Sequence, residues 1–254
     1  MDGPRDIVLK RLMATLPSRV LRIALVGMSG SGKTFWAKRL AASGRPSISC
    51  DDGIEERLRA HLTSNGYSGI NGVAAWMGWP DSPTYAQREA DYLAAEIAGL
   101  DELLTELEQD PKRELILDTT GSVIYTGNNV LMRLRRQMTV VYLAASAEEL
   151  QLLIERYLTD PKPVLWRGAF QPKNGETPLQ TVARCYPILV TARRQSYEAL
   201  AHCTLPAAEL HTLSGQSESA LSSAEAFLEK IRTQIEKNPA APAGCSANAQ
   251  WRKM

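Results

Sequence analysis

The chain has 254 residues and a net charge of +1, from 29 basic and 28 acidic side chains. That length suits one α/β domain of about 200 residues with appendages, and the near-neutral balance excludes the polyelectrolyte attraction expected of a nucleic-acid or anionic-membrane binder. Cys50, Cys185, Cys203 and Cys245 are widely scattered, form no C-x-x-C pair and have no histidine cluster beside them; this argues against a zinc site and for a reducing compartment, and no apolar run approaches a membrane span.

Residues 1–20 carry Ile7, Leu9, Leu12 and Leu16 together with Asp2 and Asp6, a pattern that predicts an N-terminal helical extension, with an organelle transit peptide as the alternative. A strand over 22–26 follows and runs directly into Gly27-Met28-Ser29-Gly30-Ser31-Gly32-Lys33-Thr34. This meets every position of the phosphate-binding P-loop, G-x-x-x-x-G-K-S/T. Glycines let successive N–H groups turn inward around phosphates, Lys33 reaches the β and γ phosphates, and Thr34 offers its hydroxyl to magnesium. A helix over 33–43 aims its positive end at the anion. The dinucleotide pattern G-x-G-x-x-G fails on spacing, because the third position after Gly32 is Phe35.

A strand over 47–50, expected beside the P-loop strand, ends in Asp51 and Asp52 before a helix over 53–63. One carboxylate would cap that helix and the other, Asp51, would accept the proton of an attacking hydroxyl. Gly66 to Pro83, with Tyr67, Trp76 and Trp79, breaks the regular alternation before a helix over 84–108. The strand 114–118 ends in Asp118, an apolar run plus Asp of Walker B form that would hold magnesium, and Thr119 to Val123 make a turn of small residues open to close approach. A helix over 127–136 presents Arg133, Arg135 and Arg136 as a solvated face. A strand over 139–143, a helix over 146–158, an irregular lid-like stretch over 159–177, a helix over 177–201, a strand near 209–213 and a helix over 217–236 complete the domain; residues 237–254 read as a disordered tail. Short apolar strands alternating with amphipathic helices predict a three-layer P-loop NTPase fold: a five-stranded parallel sheet with helices on both faces.

Taken in order, GMSGSGKT, the strand ending in Asp51, the Thr119 to Val123 turn, the helix YAQREADYLAAE, the strand Val140-Val141-Tyr142-Leu143, Lys162-Pro163-Val164-Leu165 and Arg193-Arg194-Gln195-Ser196-Tyr197 resemble the shikimate kinase family of small-molecule P-loop kinases over residues 20 to 215. The resemblance implies ATP and Mg2+ as cofactors, held by Gly27, Ser29, Gly30, Ser31, Gly32, Lys33, Thr34 and Phe35, with Thr34 and Asp118 toward the metal. It implies a catalytic set of Lys33, Asp51 and the lid cation Lys162. The acceptor would meet Asp51, Arg88, Gly121, Ser122 and Arg193, with an acceptor-binding insertion over about 64–96 and a lid over about 159–177. The family's second carboxylate-binding arginine aligns with Ala86, its first Asp of D-x-D with Ser49, and its glycine triplet with Thr120-Gly121-Ser122. Loss of one charge-assisted contact is worth about ten- to hundredfold in affinity.

The resulting expectation is an ATP-dependent kinase moving the γ-phosphoryl group to a hydroxyl of shikimate or a related small hydroxylated acid, which by resemblance belongs to aromatic amino acid biosynthesis. Its partners would be ATP and a small-molecule acceptor, with neither nucleic acid nor membrane, in a cytoplasmic monomer. Two alternatives stand beside it: gluconate, another sugar acid or a nucleotide as acceptor near Trp76 and Trp79, and a non-catalytic ATP-binding regulatory module.

Overall fold

The computed structural model describes residues 20–159, 163–215 and 220–237. The expected N-terminal helix, the tail and Lys162 fall, apart from their bordering residues, outside the described residues. At the centre lies strand β1 (Arg22–Val26), buried along its whole length. Its neighbours are β3 (Leu115–Asp118) on one side and β4 (Thr139–Ala144) on the other, with β2 (Ser47–Ser49) and β5 (Cys203–Pro206) at the edges, giving the order β2-β3-β1-β4-β5. All four pairings are parallel. Parallel strands need helical crossovers that cover both faces, which is why β1, β3 and β4 carry near-continuous apolar runs.

The two-residue period of β1 divides the core. Ile23 and Leu25 join Trp36, Leu205 and Phe227 on one face, while Ala24 and Val26 join Leu117, Val140 and Tyr142 on the other. On the first face, helix α1 (Lys33–Ala42) is fixed by Trp36 stacking on Phe227 of α9 (Ala220–Lys237), with centroids 4.4 Å apart and planes 14° from parallel. The remaining helices are α2 (Cys50–Thr63), α3 (Gly69–Met77), α4 (Tyr85–Gln109), α5 (Asn128–Gln137), α6 (Ala147–Thr159), α7 (Pro178–Leu200) and α8 (Ala207–Gly215).

Three sequence expectations are corrected. The strand carrying Asp51 is not beside the P-loop strand: β3 intervenes, pairing Ile23 with Ile116 and Ile48 with Leu117. Residues 209–213 are helical, and the last strand is Cys203–Pro206; Leu205 is the residue buried under α9, while Leu210 and Leu213 repeat at helical, not strand, spacing. The stretch 66–83 holds a regular helix, α3, whose Val73, Trp76 and Met77 are buried. The chain leaves β1 toward β2 on one side, while its neighbour β4 is left toward β5 on the other. The carboxyl end of β1 is therefore a topological switch point, where ligands collect in open α/β sheets.

Candidate active site

The P-loop occupies that switch point. Gly27 has φ +147°, and a Cβ there would lie 2.7 Å from the Leu143 carbonyl and 2.8 Å from Ser31 Oγ; the loop closes only because the position is glycine. Gly32, at φ 90°, is the N-cap of α1 and leaves the helix start without a side-chain cap, so its N–H groups remain available to an anion. Lys33 is 7 % exposed, and its Nζ donates to the carbonyls of Gly27 (2.9 Å) and Met28 (2.8 Å). Burial lowers its pKa, opposed by the nearby carboxylates of Asp118 and Asp51. Ser31 Oγ is buried with no hydrogen-bond partner among the described residues.

Two acids act on the charge of Lys33, Asp51 from a helix and Asp118 from a strand. Asp51 lies in the first turn of α2, not at a strand end, and Ser49 is the cap there, its side chain accepting from the Asp52 N–H at 3.2 Å. Neither aspartate is therefore consumed as the N-cap, and both line the cleft. Burial raises the Asp51 pKa, with Lys33 pulling it back down. Asp118 ends β3 at 6 % exposure. Burial raises its pKa, while a hydrogen bond from Thr34 and the charge of Lys33 lower it. Its Oδ1 is buried with no hydrogen-bond partner among the described residues. An unpaired buried carboxylate oxygen beside a threonine hydroxyl fits a hard cation. No group of three or more His, Cys, Asp or Glu that could hold a metal is found among the described residues.

The cleft, a cavity of about 450 Å³, runs from the P-loop to Ile70, Tyr92, Gly121, Val164, Tyr186 and Arg193. Arg193 is 3 % exposed; its guanidinium donates to Leu165 O (2.7 Å), Tyr125 Oη (3.3 Å) and Gly121 O (3.4 Å). Gly121 is the point of closest approach: a Cβ there would face Ser29 N at 3.5 Å and Arg193 Nη1 at 3.6 Å. Arg88 does not line this cavity. Its guanidinium donates to the Trp76 carbonyl and lies over the Trp76 indole, 5.8 Å from the ring centroid, because α4 turns that side chain toward α3. Trp76 is buried at 4 % exposure and Trp79 packs edge-on to Tyr157; both are packing residues outside the cleft. Of the expected lid, the described part is anchored: Val164, Leu165 and Trp166 are buried, the Tyr85 hydroxyl donates to Val164 O and accepts from Trp166 N–H, and Glu89 accepts from Arg167 N–H at 2.9 Å.

No protein-family model and no curated protein matches the chain. Solved structures do. The shikimate kinase from Acinetobacter baumannii, in complex with shikimate, is 23% identical, aligns over 88% of this chain and 97% of its own, and has a TM-score of 0.51. The chain has the shikimate kinase fold. Shikimate kinases from Bacteroides thetaiotaomicron and Aquifex aeolicus align with 20% and 17% identity over 83% and 86% of this chain and 98% of their own, with TM-scores of 0.49 and 0.48.

Within the shikimate kinase fold, the cleft also draws in residues that motif reading passes over: Ile70, Tyr92, Thr120, Val164 and Tyr186 line it, and Glu96 lies directly behind. A signal for Glu96 exists. On α4 the buried positions Glu89, Tyr92, Leu93, Glu96 and Leu100 form one stripe, and a carboxylate set into an apolar stripe demands partners. Both its oxygens are met, one by Thr120 Oγ1 and the other by Ser122 Oγ at 2.6 Å.

Proposed function

We propose that the chain is an ATP-dependent kinase that moves the γ-phosphoryl group to a hydroxyl of a small hydroxylated acid, with shikimate the first acceptor to test. One observation carries the reading: a P-loop lysine, the aspartates Asp51 and Asp52 of α2 and the buried Arg193 line one cleft, with Asp118 of β3 close enough to act on the lysine's charge. A nucleotide switch needs the first half of that arrangement only; the part of the cleft beside it is the place for an acceptor. That a structural neighbour holds shikimate makes this compound the natural starting point.

The N–H groups of the P-loop and the start of α1 hold phosphate oxygens, with Ser31 Oγ aimed among them. Lys33 leaves its loop carbonyls for the β and γ phosphates. Thr34 and Asp118 are the residues that would hold magnesium, which when bound neutralises charge developing on the phosphates. Asp51, kept partly reluctant to ionise by burial, orients the acceptor hydroxyl and takes its proton. Arg193 pairs with the acceptor carboxylate, and Gly121 lets the acceptor approach the turn. Lys162 is proposed as the lid cation. Catalysis is positioning and charge neutralisation.

A second reading replaces the acceptor. With Ala86 in the position of a family arginine and Arg88 committed to Trp76, Arg193 is the single arginine lining the cavity among the described residues, which favours an acceptor needing one cationic contact. Labelled ATP with shikimate, gluconate, other sugar acids and nucleosides as acceptors separates the two. Loss of transfer in Lys33→Ala and Asp51→Asn on whichever acceptor is used supports the kinase reading; full activity in both variants overturns it, and nucleotide binding with no transfer to any acceptor points to a regulatory module.

A further inference from the structure

Behind the acceptor cavity, Glu96 is buried at 2 % exposure on α4, touches neither the P-loop nor the cleft surface, and has no part in the chemistry set out above. Its two oxygens accept from Thr120 Oγ1 and Ser122 Oγ, the residues on either side of Gly121. The two hydroxyl oxygens lie 2.9 Å apart, with no proton left between them while both donate to Glu96, and the Ser122 N–H donates to Thr120 Oγ1 at 3.0 Å. The front of that turn is held as firmly: the Gly121 carbonyl accepts from Tyr197 Oη and from Arg193 Nη1. One carboxylate thus clamps from behind the turn whose Gly121 lies against Arg193 and against Ser29 of the P-loop.

Building on the kinase reading, we propose that Glu96 is a positioning residue for the acceptor: as a carboxylate it accepts from both Thr120 and Ser122, fixing Gly121 and through it Arg193, and on protonation one of these two bonds must reverse or break, which resets the turn and weakens the acceptor half of the cleft. The chemistry follows from donor counting. A carboxylate is acceptor-only and satisfies two hydroxyl donors at once, whereas a carboxylic acid turns one oxygen into a donor, so one hydroxyl must reverse or let go. Burial pushes the Glu96 pKa up to about 7, with the Ser122 and Thr120 hydroxyls holding it from rising further. The charges around it are mixed. Asp51 from α2 disfavours ionisation and Arg193 from α7 favours it, while burial keeps the nearby Cys50 thiol of α2 and Tyr92 hydroxyl of α4 neutral. Solvent reaches Glu96 without crossing the acceptor site, through a separate cavity of about 190 Å³ between α2 and α4 that Arg57, Glu102 and Glu106 also line.

The test has two arms. In the ligand-free protein labelled with ¹³C at glutamate carboxyls, one carboxyl should titrate between about pH 6 and about pH 8, the amide resonances of Gly121 and Ser122 should follow it, and both effects should vanish in Glu96→Gln. A set of glutamates that all titrate in the ordinary range, or turn amides that ignore the titration, overturns the proposal. In the second arm, with MgATP and shikimate, the shikimate KM of the wild type should fall about tenfold as pH rises across that range, one hydrogen bond's worth of positioning. Glu96→Gln should hold the high value throughout, with kcat and the ATP KM changed by less than about threefold. Parallel pH profiles for the two proteins overturn it. If Glu96→Gln does not fold, Ser122→Ala, which removes one donor and leaves the carboxyl, should raise the shikimate KM and move the carboxyl titration upward; an unmoved titration overturns the proposal. Absence of transfer to shikimate counts against shikimate as the acceptor, and absence of transfer to any acceptor against the kinase reading; in either case the first arm decides the role of Glu96.

Discussion

Arg193 Nη2 lies 2.7 Å from the carbonyl oxygen of Leu165, so the arginine that lines the acceptor cavity is also the tie between α7 and the segment entering from the lid. Burial works against its charge, but the oxygens of Tyr197, Tyr125 and Tyr186 around it keep its pKa above the ordinary value. It therefore remains a fixed cation at any working pH.

The contrast with Arg88 gives a first prediction. Arg193→Ala should raise the acceptor KM by about ten- to hundredfold, the worth of a charge-assisted contact. Arg88→Ala, whose partner is the Trp76 carbonyl, should change it by less than about threefold and act on stability instead. Steady-state kinetics over the acceptor panel check the ranking, and the reverse order would place the acceptor against α3.

Asp118 supplies the second. Its Oδ1 is buried and without a hydrogen-bond partner among the described residues, a cost carried by the ligand-free protein. Asp118→Asn should therefore leave the ligand-free melting temperature unchanged or higher while weakening magnesium-dependent turnover by about ten- to hundredfold. Melting curves and a magnesium titration of turnover measure the two sides; a large loss of ligand-free stability would show that the carboxylate is structural.

A pH dependence of stability should come from His202. Its Nδ1 accepts the Val140 N–H at 2.9 Å while its own N–H donates to Val140 O at 2.8 Å, so the ring must stay neutral to seat β5 beside β4. Burial, with Arg135 adding to it, lowers the folded pKa to about 4 from an ordinary 6.5. A depressed pKa means that the stabilisation is complete above about pH 6.5 and is lost as pH falls toward 4, about 2 kcal/mol after allowance for partial exposure. Denaturant melts of wild type and His202→Gln from neutral to acid pH should show the wild-type slope flattened in the variant; equal slopes would exclude His202 as the source.

Phe227 provides a prediction far from the chemistry. It is fully buried and stacks on Trp36, so Phe227→Ala should cost about 3 to 5 kcal/mol and loosen the helix that begins at Lys33. A lowered melting temperature with weakened ATP binding is expected. Unchanged ATP affinity in the folded variant would show that α1 holds its place without α9.

The P-loop, the strands at 22–26 and 139–143 and most helices were readable from the chain because each depends on neighbours in sequence: a glycine turn, a two-residue or 3.6-residue period, an apolar run. The edge strand was misplaced for the same reason. Glu209 to Leu213 has a locally apolar pattern, but the strand position beside β4 goes to Cys203–Pro206, where His202 and Val140 exchange hydrogen bonds across 62 residues. The pair Asp51 and Asp52 reads as one helix cap and one chemical residue, yet the cap belongs to Ser49.

By itself the sequence determined where a phosphate-binding loop stands, since a P-loop is eight consecutive residues whose backbone makes the site. It also determined the class of fold, through the periods of its strands and helices. Only the tertiary structure decided what stands opposite the phosphate. Arg88 and Arg193 look equally available in the chain, but packing spends one on an indole and a carbonyl and turns the other into the cleft. Glu96 became visible only when α4 was laid behind the Thr120 to Ser122 turn. An acceptor pocket is assembled from side chains far apart in sequence, and their directions are set by which helix faces which strand.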